Sequence, residues 1–196
     1  IMISKADKSI LRGTIFKHLD GIVTAPAALI LKKHGILDIL IQNKIQSLDE
    51  LAVACDANDG YLNVALRSLA SQGWLEQSIE NEIPSYTITD KGSIAFAYAH
   101  HYEKAVDLIQ IGEHYHPRKF EPAAFRVLES AFDSYLELQL KKRDVDADHA
   151  SVLDQILCHI EGVILGPSIV HLGMSGMFHK YFMESSFKAE EFHEDV

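Results

Sequence analysis

The sequence predicts a mainly α-helical fold that carries one small β-hairpin. Apolar residues recur at helical spacing through most of the 196 residues, and two short β-prone runs lie near the middle, joined by a polar loop. The third observation is an internal repeat, in which residues 159–192 align without a gap on residues 18–51, at an offset of 141 from His18 to His159. The matched pairs include Gly21 with Gly162, Pro26 with Pro167, Gly35 with Gly176, and Glu50 with Glu191.

The first forty residues predict three helical segments. Residues 4–19 form an amphipathic pattern with apolar positions at Ile10, Leu11, Ile15, Phe16 and Leu19. Gly21 allows a break, after which 22–33 predict an apolar helix with Pro26 in its first turn. Gly35 suits a helix C-terminal cap, and residues 36–40 continue as a short apolar helix or turn.

The next stretch predicts a winged helix-turn-helix. Ser47 and Glu50 form a capping box that opens a helix over 48–55, and the turn residues 56–60 separate it from a helix over about 60–72. Two strands follow at 74–77 and 86–89, and another helix begins near Ser93. The complete series in this order is more specific than any single step.

The remaining sequence predicts helices at 93–115, 121–142 and 150–164, followed by segments around Pro167 and Gly176. We therefore expect three regions: residues 1–116 as a winged-helix unit, 117–149 as a helical connector, and 150–196 as the first helices of a second, truncated winged-helix-like unit. A repeat of this kind cut off at Val196 would hold one complete unit and the opening of another.

Composition narrows the function classes. The net charge of −10 disfavours nucleic acid and anionic membranes as partners, and the two cysteines, Cys55 and Cys158, are better explained as buried free thiols than as a disulfide. No uncharged apolar run reaches the roughly 18 residues of a transmembrane helix, and the start lacks the features of a signal peptide. We expect a cytoplasmic protein without a membrane partner.

Several stretches carry a family resemblance: AALILKKHGILDIL (27–40), SLDELA (47–52), LRSLASQGWL (66–75) and YTITDKG (86–92). Together they resemble the N-terminal winged-helix lid or dimerisation region of class I S-adenosylmethionine-dependent O-methyltransferases. LGMSGMFHKYF (172–182) is similar to methyltransferase domains embedded in, or acting beside, modular polyketide synthases. The resemblance implies a helical lid that precedes a catalytic core, with S-adenosylmethionine bound by that core.

The glycine-rich cofactor turn of that family is missing. The nearest candidate is Ile169–Gly176, which has glycines at 173 and 176 but no acidic residue before them, and it aligns with the repeat position of Gly35. A helix cap explains these glycines better than a cofactor site. No later strands follow to build a sheet, so the resemblance implies a chain without its catalytic core.

A DNA-binding role is the main alternative. The recognition helix would be Gly60–Gln72, whose only charged side chain is Arg67. The wing region carries one lysine against several acids: Glu76, Glu80, Glu82, Asp90 and Lys91. Phosphate contacts require Lys and Arg, so this pattern weighs against DNA.

Several histidines, acids and cysteines are of types that bind metals or act in catalysis. A metal site could be built from His100, His101, Glu103, Glu113, His114 and His116. Adjacent histidines on a helix point about 100° apart, so these residues are better explained as a partly exposed helix face. We interpret His18 and His159 as residues that form a structural hydrogen bond in both copies of the repeat. The alternative is that the two histidines, each near a helix end, serve a common interaction. Cys55 and Cys158 have no evident base partner.

The sequence therefore predicts no catalytic, cofactor-binding or metal-binding residue in this chain. The expected function is a non-catalytic lid, adaptor or dimerisation module of an S-adenosylmethionine-dependent methyltransferase in polyketide biosynthesis. The expected partners are the methyltransferase catalytic core, an acyl carrier protein and a second copy of the chain. A winged-helix transcriptional regulator and a stand-alone oligomerisation protein are the alternatives.

Overall fold

A computed structural model describes residues 4–80, 82–111, 122–174 and 176. The helices in these ranges are α1 (Lys5–Lys33), α2 (Ile36–Asn43), α3 (Leu48–Ala54), α4 (Asp59–Ser71), α5 (Asp90–Tyr98), α6 (Tyr102–Ile111), α7 (Pro122–Lys141) and α8 (Ala147–Met174). The strands are β1 (Ile45–Ser47), β2 (Leu75–Glu80) and β3 (Ile83–Ile88), and short 3₁₀ turns lie at Ala99–His101 and Lys142–Asp144. The predicted fold class, mainly helical with a winged helix, is confirmed.

The winged helix consists of α2, α3 and α4 followed by an antiparallel sheet in the order β1-β3-β2. Its capping box is formed, because the Ser47 hydroxyl accepts from the Glu50 amide at 3.3 Å and the Glu50 carboxylate accepts from the Ser47 amide at 3.0 Å. In the wing, Leu75 pairs with Ile88 and Glu80 with Ile83, so both strands extend further into the loop than the sequence predicts. The strand β1 was not predicted, and it pairs with β3 at Ile45–Thr87.

The first predicted break is wrong, because α1 runs without interruption from Lys5 to Lys33 through Gly21 and Pro26. An interior proline costs a helix about 3 kcal/mol. Tertiary burial of the residues around it outweighs that cost: Thr24, Ala25, Ala28, Leu29 and Leu31 are all buried. The helix also has the length and composition of a membrane-spanning segment. One side of its C-terminal half is buried in the folded chain, whereas Val23 and Ile30 on the other side are more than half exposed.

The later helices also differ from their predicted bounds. The predicted helix over 93–115 is divided by the 3₁₀ turn at Ala99–His101 into α5 and α6, and its last residues lie outside the described ranges. The predicted 150–164 helix begins earlier and continues to Met174. Thus α1 ends at Lys33 and α8 ends at Met174, which are equivalent positions in the repeat.

The hydrophobic core joins the described parts of the chain. It includes residues of α1, the winged helix, α5, α6, Leu138 of α7 and the N-terminal half of α8. The largest buried side chains are Trp74, Tyr86, Tyr102 and Phe96. The three regions 1–116, 117–149 and 150–196 stay a prediction. Residues 177–196, which include the predicted apolar positions Met177, Phe178, Tyr181 and Phe182, lie outside the described residues.

Candidate interaction surface

An apolar row runs along one side of α1, and its last two members, Leu19 and Ile22, lie beside Gly166 of α8. We call Leu11, Ile15, Phe16, Leu19 and Ile22 the α1 stripe. Leu11, Ile15 and Phe16 expose between 53% and 58% of their surface, whereas Leu19 is half-buried. Singly exposed apolar residues are ordinary, but a continuous row of large ones at helical spacing is typical of a face that another element covers.

The inner side of α1 crosses α8 at two glycines that are equivalent in the repeat. A Cβ atom added to Gly21 would lie closer than 3.0 Å to the backbone of His159, and one added to Gly162 would lie equally close to the backbone of His18. Each histidine backbone therefore occupies the space beside the other copy's glycine. This reciprocal contact relates α1 and α8 by an approximate two-fold axis and explains why glycine stands at both positions.

His159 lies at the centre of a buried polar chain. Its Nδ1 accepts from the Tyr102 hydroxyl at 2.7 Å, and its Nε2 lies 3.2 Å from Oε1 of Gln72. The same Gln72 oxygen accepts from Nε2 of Gln155 at 2.9 Å, while Oε1 of Gln155 accepts from the Trp74 indole at 2.9 Å. The chain is satisfied when Nε2 of His159 carries the proton and Nδ1 is free to accept. These bonds fix the position of α8 against α4, α6 and the start of β2.

Burial lowers the pKa of His159 from 6.5 to about 4, and the neighbouring His18 adds to the effect. The imidazole is 1% exposed, so an imidazolium there would lose nearly all of its hydration. His159 is therefore neutral at pH 7. It acts as a structural hydrogen-bonding group, but its bonds are not repeated by His18 in the other copy.

His18 occupies the equivalent position on α1 but makes different contacts. Its Nδ1 lies 3.2 Å from the Cys158 carbonyl oxygen and 3.2 Å from Oε2 of Glu161. The other Glu161 oxygen accepts from the Tyr135 hydroxyl at 2.5 Å. His18 is half-buried, whereas His159 is buried. Of the two equivalent histidines, His159 therefore lies inside the core and His18 lies at its edge.

The side chains of His18, Cys158 and Glu161 converge within 4.8 Å, and they are the one metal-capable set found in the described ranges. Nδ1 of His18 faces two oxygen acceptors, which is the arrangement of an N–H donor and not of a free lone pair. Burial raises the pKa of the Cys158 thiol, which disfavours the thiolate that a metal requires. Hydrogen bonding accounts for this cluster.

The structure places His100 and His101 side by side on the 3₁₀ turn, with ring centroids 4.2 Å apart. Nδ1 of His101 pairs with the Ser134 hydroxyl at 3.0 Å, and Nδ1 of His100 lies 3.1 Å from the Ala97 carbonyl. Glu103 forms an ion pair with Lys33 at 3.6 Å. The three residues therefore have separate partners, and the other proposed members of the set, Glu113, His114 and His116, lie outside the described residues.

A second apolar row lies on the solvent side of α7. Phe132, Leu136 and Leu140 recur every four residues and expose 49–58% of their surface. A parallel row of acids runs beside them at Glu129, Asp133 and Glu137. We call these six residues the α7 face. Its chemistry fits a partner that offers an apolar groove bordered by Lys or Arg.

The outer face of α4 carries little positive charge. Tyr61, Val64, Arg67 and Ser71 are exposed there, whereas Leu62, Leu66 and Leu69 are buried. Arg67 is the single basic side chain on this helix. The surface that would enter a DNA groove thus offers one cationic side chain for a phosphate contact.

The candidate cofactor segment lies at the end of α8. Residues 169–174 are helical, so they supply no strand before the glycines. Gly176 has a φ of +76°, close to the +74° of Gly35 after α1. Both values lie in the left-handed region, where glycine is favoured after a helix. The remaining thiol, Cys55, has its pKa raised by burial and so lacks the activation of a nucleophile.

Sequence reasoning missed the polar chain around His159. Gln72 and Gln155 gave no signal, because nothing in a local pattern shows that a glutamine amide is placed against an indole 81 residues away. It also missed the acidic row of the α7 face, although the four-residue spacing of these acids is visible in the sequence.

Fold and contacts together define a winged-helix protein in which two equivalent helices cross at paired glycines. Residues 11–77 are similar to the AprA N-terminal domain, and residues 161–196 are similar to the AprA winged helix domain. The first match contains one copy of the internal repeat, and the second contains nearly all of the other. No curated protein matches the chain.

Proposed function

We propose that this chain is a non-catalytic lid, adaptor or dimerisation module of an S-adenosylmethionine-dependent methyltransferase that serves polyketide biosynthesis. The observation that carries the proposal is the α7 face, where an apolar row of Phe132, Leu136 and Leu140 lies exposed beside a row of acids. A face of this composition on a rigid helix suits docking to another protein. The two AprA domain matches support a non-catalytic module, and the family resemblance is what suggests its methyltransferase partner.

In this proposal, the α7 face seats the chain on a methyltransferase catalytic core, which binds S-adenosylmethionine. The chain covers the acyl substrate, which is delivered by an acyl carrier protein, and so excludes water from the methyl transfer. A second copy of the chain forms a homo-oligomer, and the assembly works in the cytoplasm. The described residues serve as scaffold, since the polar groups that converge near α8 satisfy one another.

Association with the core tests the proposal directly. We expect the purified core and this chain to form a complex, and Leu136→Glu to abolish it by adding an anion to an already acidic face. The matched control is Val64→Glu, which alters an apolar residue on α4 that is exposed by more than half, as Leu136 is. A complex that survives Leu136→Glu, or the lack of any complex with the unaltered chain, would contradict the proposal.

A cofactor titration gives an independent readout. Calorimetry with S-adenosylmethionine should give no binding heat with this chain alone and clear binding with the core. Micromolar binding to the chain alone would show that it holds a cofactor site, and the lid interpretation would then be wrong.

The alternative is a DNA-binding regulator, and the exposed Arg67 on α4 is the observation that would favour it. A mobility-shift assay with mixed duplex DNA at low salt separates the two functions, because non-specific binding is strongest under those conditions. We expect no shift, and tight binding would favour the regulator.

A further inference from the structure

The first turns of α1 carry positive charge beside the exposed end of the α1 stripe. Every residue from 4 to 17 is exposed, and these include Leu11 and Ile15 of the stripe. Lys8 lies three residues before Leu11, and Arg12 lies three residues before Ile15, so the two cations form a second row along the same side of the helix. Neither cation forms an ion pair with another described residue.

These cations belong to α1 alone and are not part of the repeat. At the offset that relates His18 to His159, the stripe stays apolar on α8, where the equivalent residues are at most 2% exposed. Lys8 corresponds to His149 and Arg12 to Leu153, so α8 has neither lysine nor arginine at these positions. The copy of the pattern that is exposed is therefore the one bordered by positive charge, which suits an acidic partner surface.

The α7 face has the complementary charge at the same spacing. Each of its acids stands three residues before one of its apolar side chains, in the pairs Glu129 with Phe132, Asp133 with Leu136, and Glu137 with Leu140. All six residues are exposed, and none of the three acids forms an ion pair with another described residue. One helix of this chain thus presents an apolar row edged by cations, and another presents an apolar row edged by anions.

The shared spacing fixes the direction in which two such helices pack. A residue three positions earlier is rotated by about 60° around the helix axis, so the charged row lies on the same side of the apolar row in both helices. When two helices face each other through their apolar rows, charged rows on the same side of each come together if the helices run antiparallel. In that arrangement the cations of α1 lie against the acids of α7 while the two apolar rows pack on each other.

Within one chain, α1 and α7 run parallel to each other and so cannot form this contact. Both helices run antiparallel to α8. The contacts that show these directions are Gly162 with His18, His159 with Gly21, Glu161 with Tyr135, and Asp154 with Lys142. The antiparallel partner of α1 therefore has to come from another molecule.

We infer that the exposed part of the α1 stripe, with Lys8 and Arg12, docks antiparallel on the α7 face of a second copy of this chain. The inference rests on the proposed function for its homo-oligomer and names the contact that forms it. A pair joined by one such contact leaves the α7 face of one chain open, where the methyltransferase core can bind. The net charge of −10 repels the copies, but at physiological ionic strength a screening length of about 8 Å confines the interaction to the charges in contact.

Two charge-reversed variants, studied alone and then mixed, test the inference by sedimentation equilibrium. Lys8→Glu/Arg12→Glu makes the α1 row acidic, and Asp133→Lys/Glu137→Lys makes the α7 row basic. We expect the unaltered chain to associate as its concentration rises, and each variant alone to have a dissociation constant at least about tenfold higher, because like charges then meet. An equal mixture of the two variants should associate again, since the native α1 row of one meets the native α7 face of the other and the two reversed rows also match.

A matched control separates this contact from an effect of net charge. Arg67→Glu/Lys91→Glu changes the net charge as much as Lys8→Glu/Arg12→Glu does, at exposed positions outside both faces, and should leave the association unchanged. All the substituted side chains are exposed, so every variant should keep the circular dichroism spectrum of the unaltered chain.

Three outcomes would overturn the inference. The first is an unaltered chain that stays monomeric at every concentration. The second is an Asp133→Lys/Glu137→Lys chain that associates as strongly as the unaltered one, which would show that the α7 face takes no part. The third is a mixture of the two variants that does not associate. If vesicles of anionic phospholipid bind a monomeric unaltered chain but not Lys8→Glu/Arg12→Glu, the partner of α1 is a lipid surface, and the inference is wrong.

The failure of this inference can be told apart from the failure of the proposed function. Lys8→Glu/Arg12→Glu leaves the α7 face intact, so this variant should still bind the methyltransferase core. Self-association without any core binding would contradict the proposed function alone. Core binding by a chain that never self-associates would contradict this inference alone.

Discussion

The glycine crossing of α1 and α8 can be tested by adding a single methyl group. In Gly162→Ala, the new carbon would lie closer than 3.0 Å to the His18 backbone, which cannot swing aside as the end of a flexible side chain can. The two helices must therefore move apart, and Ile160 and Val163, each 1% exposed, would lose part of their packing. Gly21→Ala should act in the same way on the backbone of His159.

The expected cost follows from the way closed cores respond to overpacking. Inserting carbon into a well-packed interior costs about 1–3 kcal/mol, and more where the neighbour is backbone. We expect Gly162→Ala to lower the free energy of unfolding by about 3 kcal/mol or more, with a similar effect for Gly21→Ala. One separation of the helices relieves both clashes, so the double variant should lose less than the sum of the single variants.

Urea unfolding followed by circular dichroism measures these differences, and Gly13→Ala is the matched control. Gly13 lies in α1 with nothing within 4 Å of an added Cβ, so this change should stabilise the protein by about 0.5–1 kcal/mol through helix propensity. A Gly162→Ala protein as stable as the unaltered chain, beside a normal Gly13→Ala result, would refute the close crossing.

Three further predictions concern the interior and the winged helix. Tyr102→Phe leaves Nδ1 of His159 without its donor and should lower the free energy of unfolding in urea by about 1–3 kcal/mol, with an unchanged circular dichroism signal in the absence of urea. Because the pKa of His159 falls from 6.5 to about 4 on folding, stability should be complete above pH 6.5 and decline as the pH falls toward 4, by on the order of 3 kcal/mol in total. His159→Gln should flatten that decline, and an unchanged pH dependence in this variant would assign it to another group. Ser47→Ala removes one bond of the capping box and should lower the thermal midpoint, at a cost of about 1 kcal/mol, whereas an unchanged midpoint would show that the cap is dispensable.

The winged helix could be predicted because its steps have local chemical causes. A serine hydroxyl and a glutamate three residues later specify the start of α3, and Gly35 with its φ of +74° marks the end of α1. These signals act within a few residues, so one sequence suffices to find them. The strand β1 lacks such a signal, because three residues with a mixed pattern become a strand only through their pairing with β3.

The long helices were harder to predict, since their continuity depends on distant packing. Pro26 and Gly21 are local signals for a boundary, yet α1 continues through both because one side of it is buried against other elements. The candidate surfaces could be predicted in part from the sequence, because the spacing of Ile15 and Leu19 indicates an apolar helix face. That this spacing would be left largely open on α1 and covered on α8 follows from three-dimensional placement, which the matched apolar positions do not specify.

The distance along the chain between the crossing partners bears on how the protein is made. Gly21 leaves the ribosome long before Gly162, and closing so large a loop carries an entropic cost that local helices do not face. Synthesis at about 5–20 residues per second leaves the groove beside Trp74 and Tyr102 open to water for several seconds, until α8 emerges. During this interval, the nascent chain exposes the apolar groove that its own helix α8 later fills. Slowing translation between α7 and α8 should therefore increase aggregation of the nascent protein.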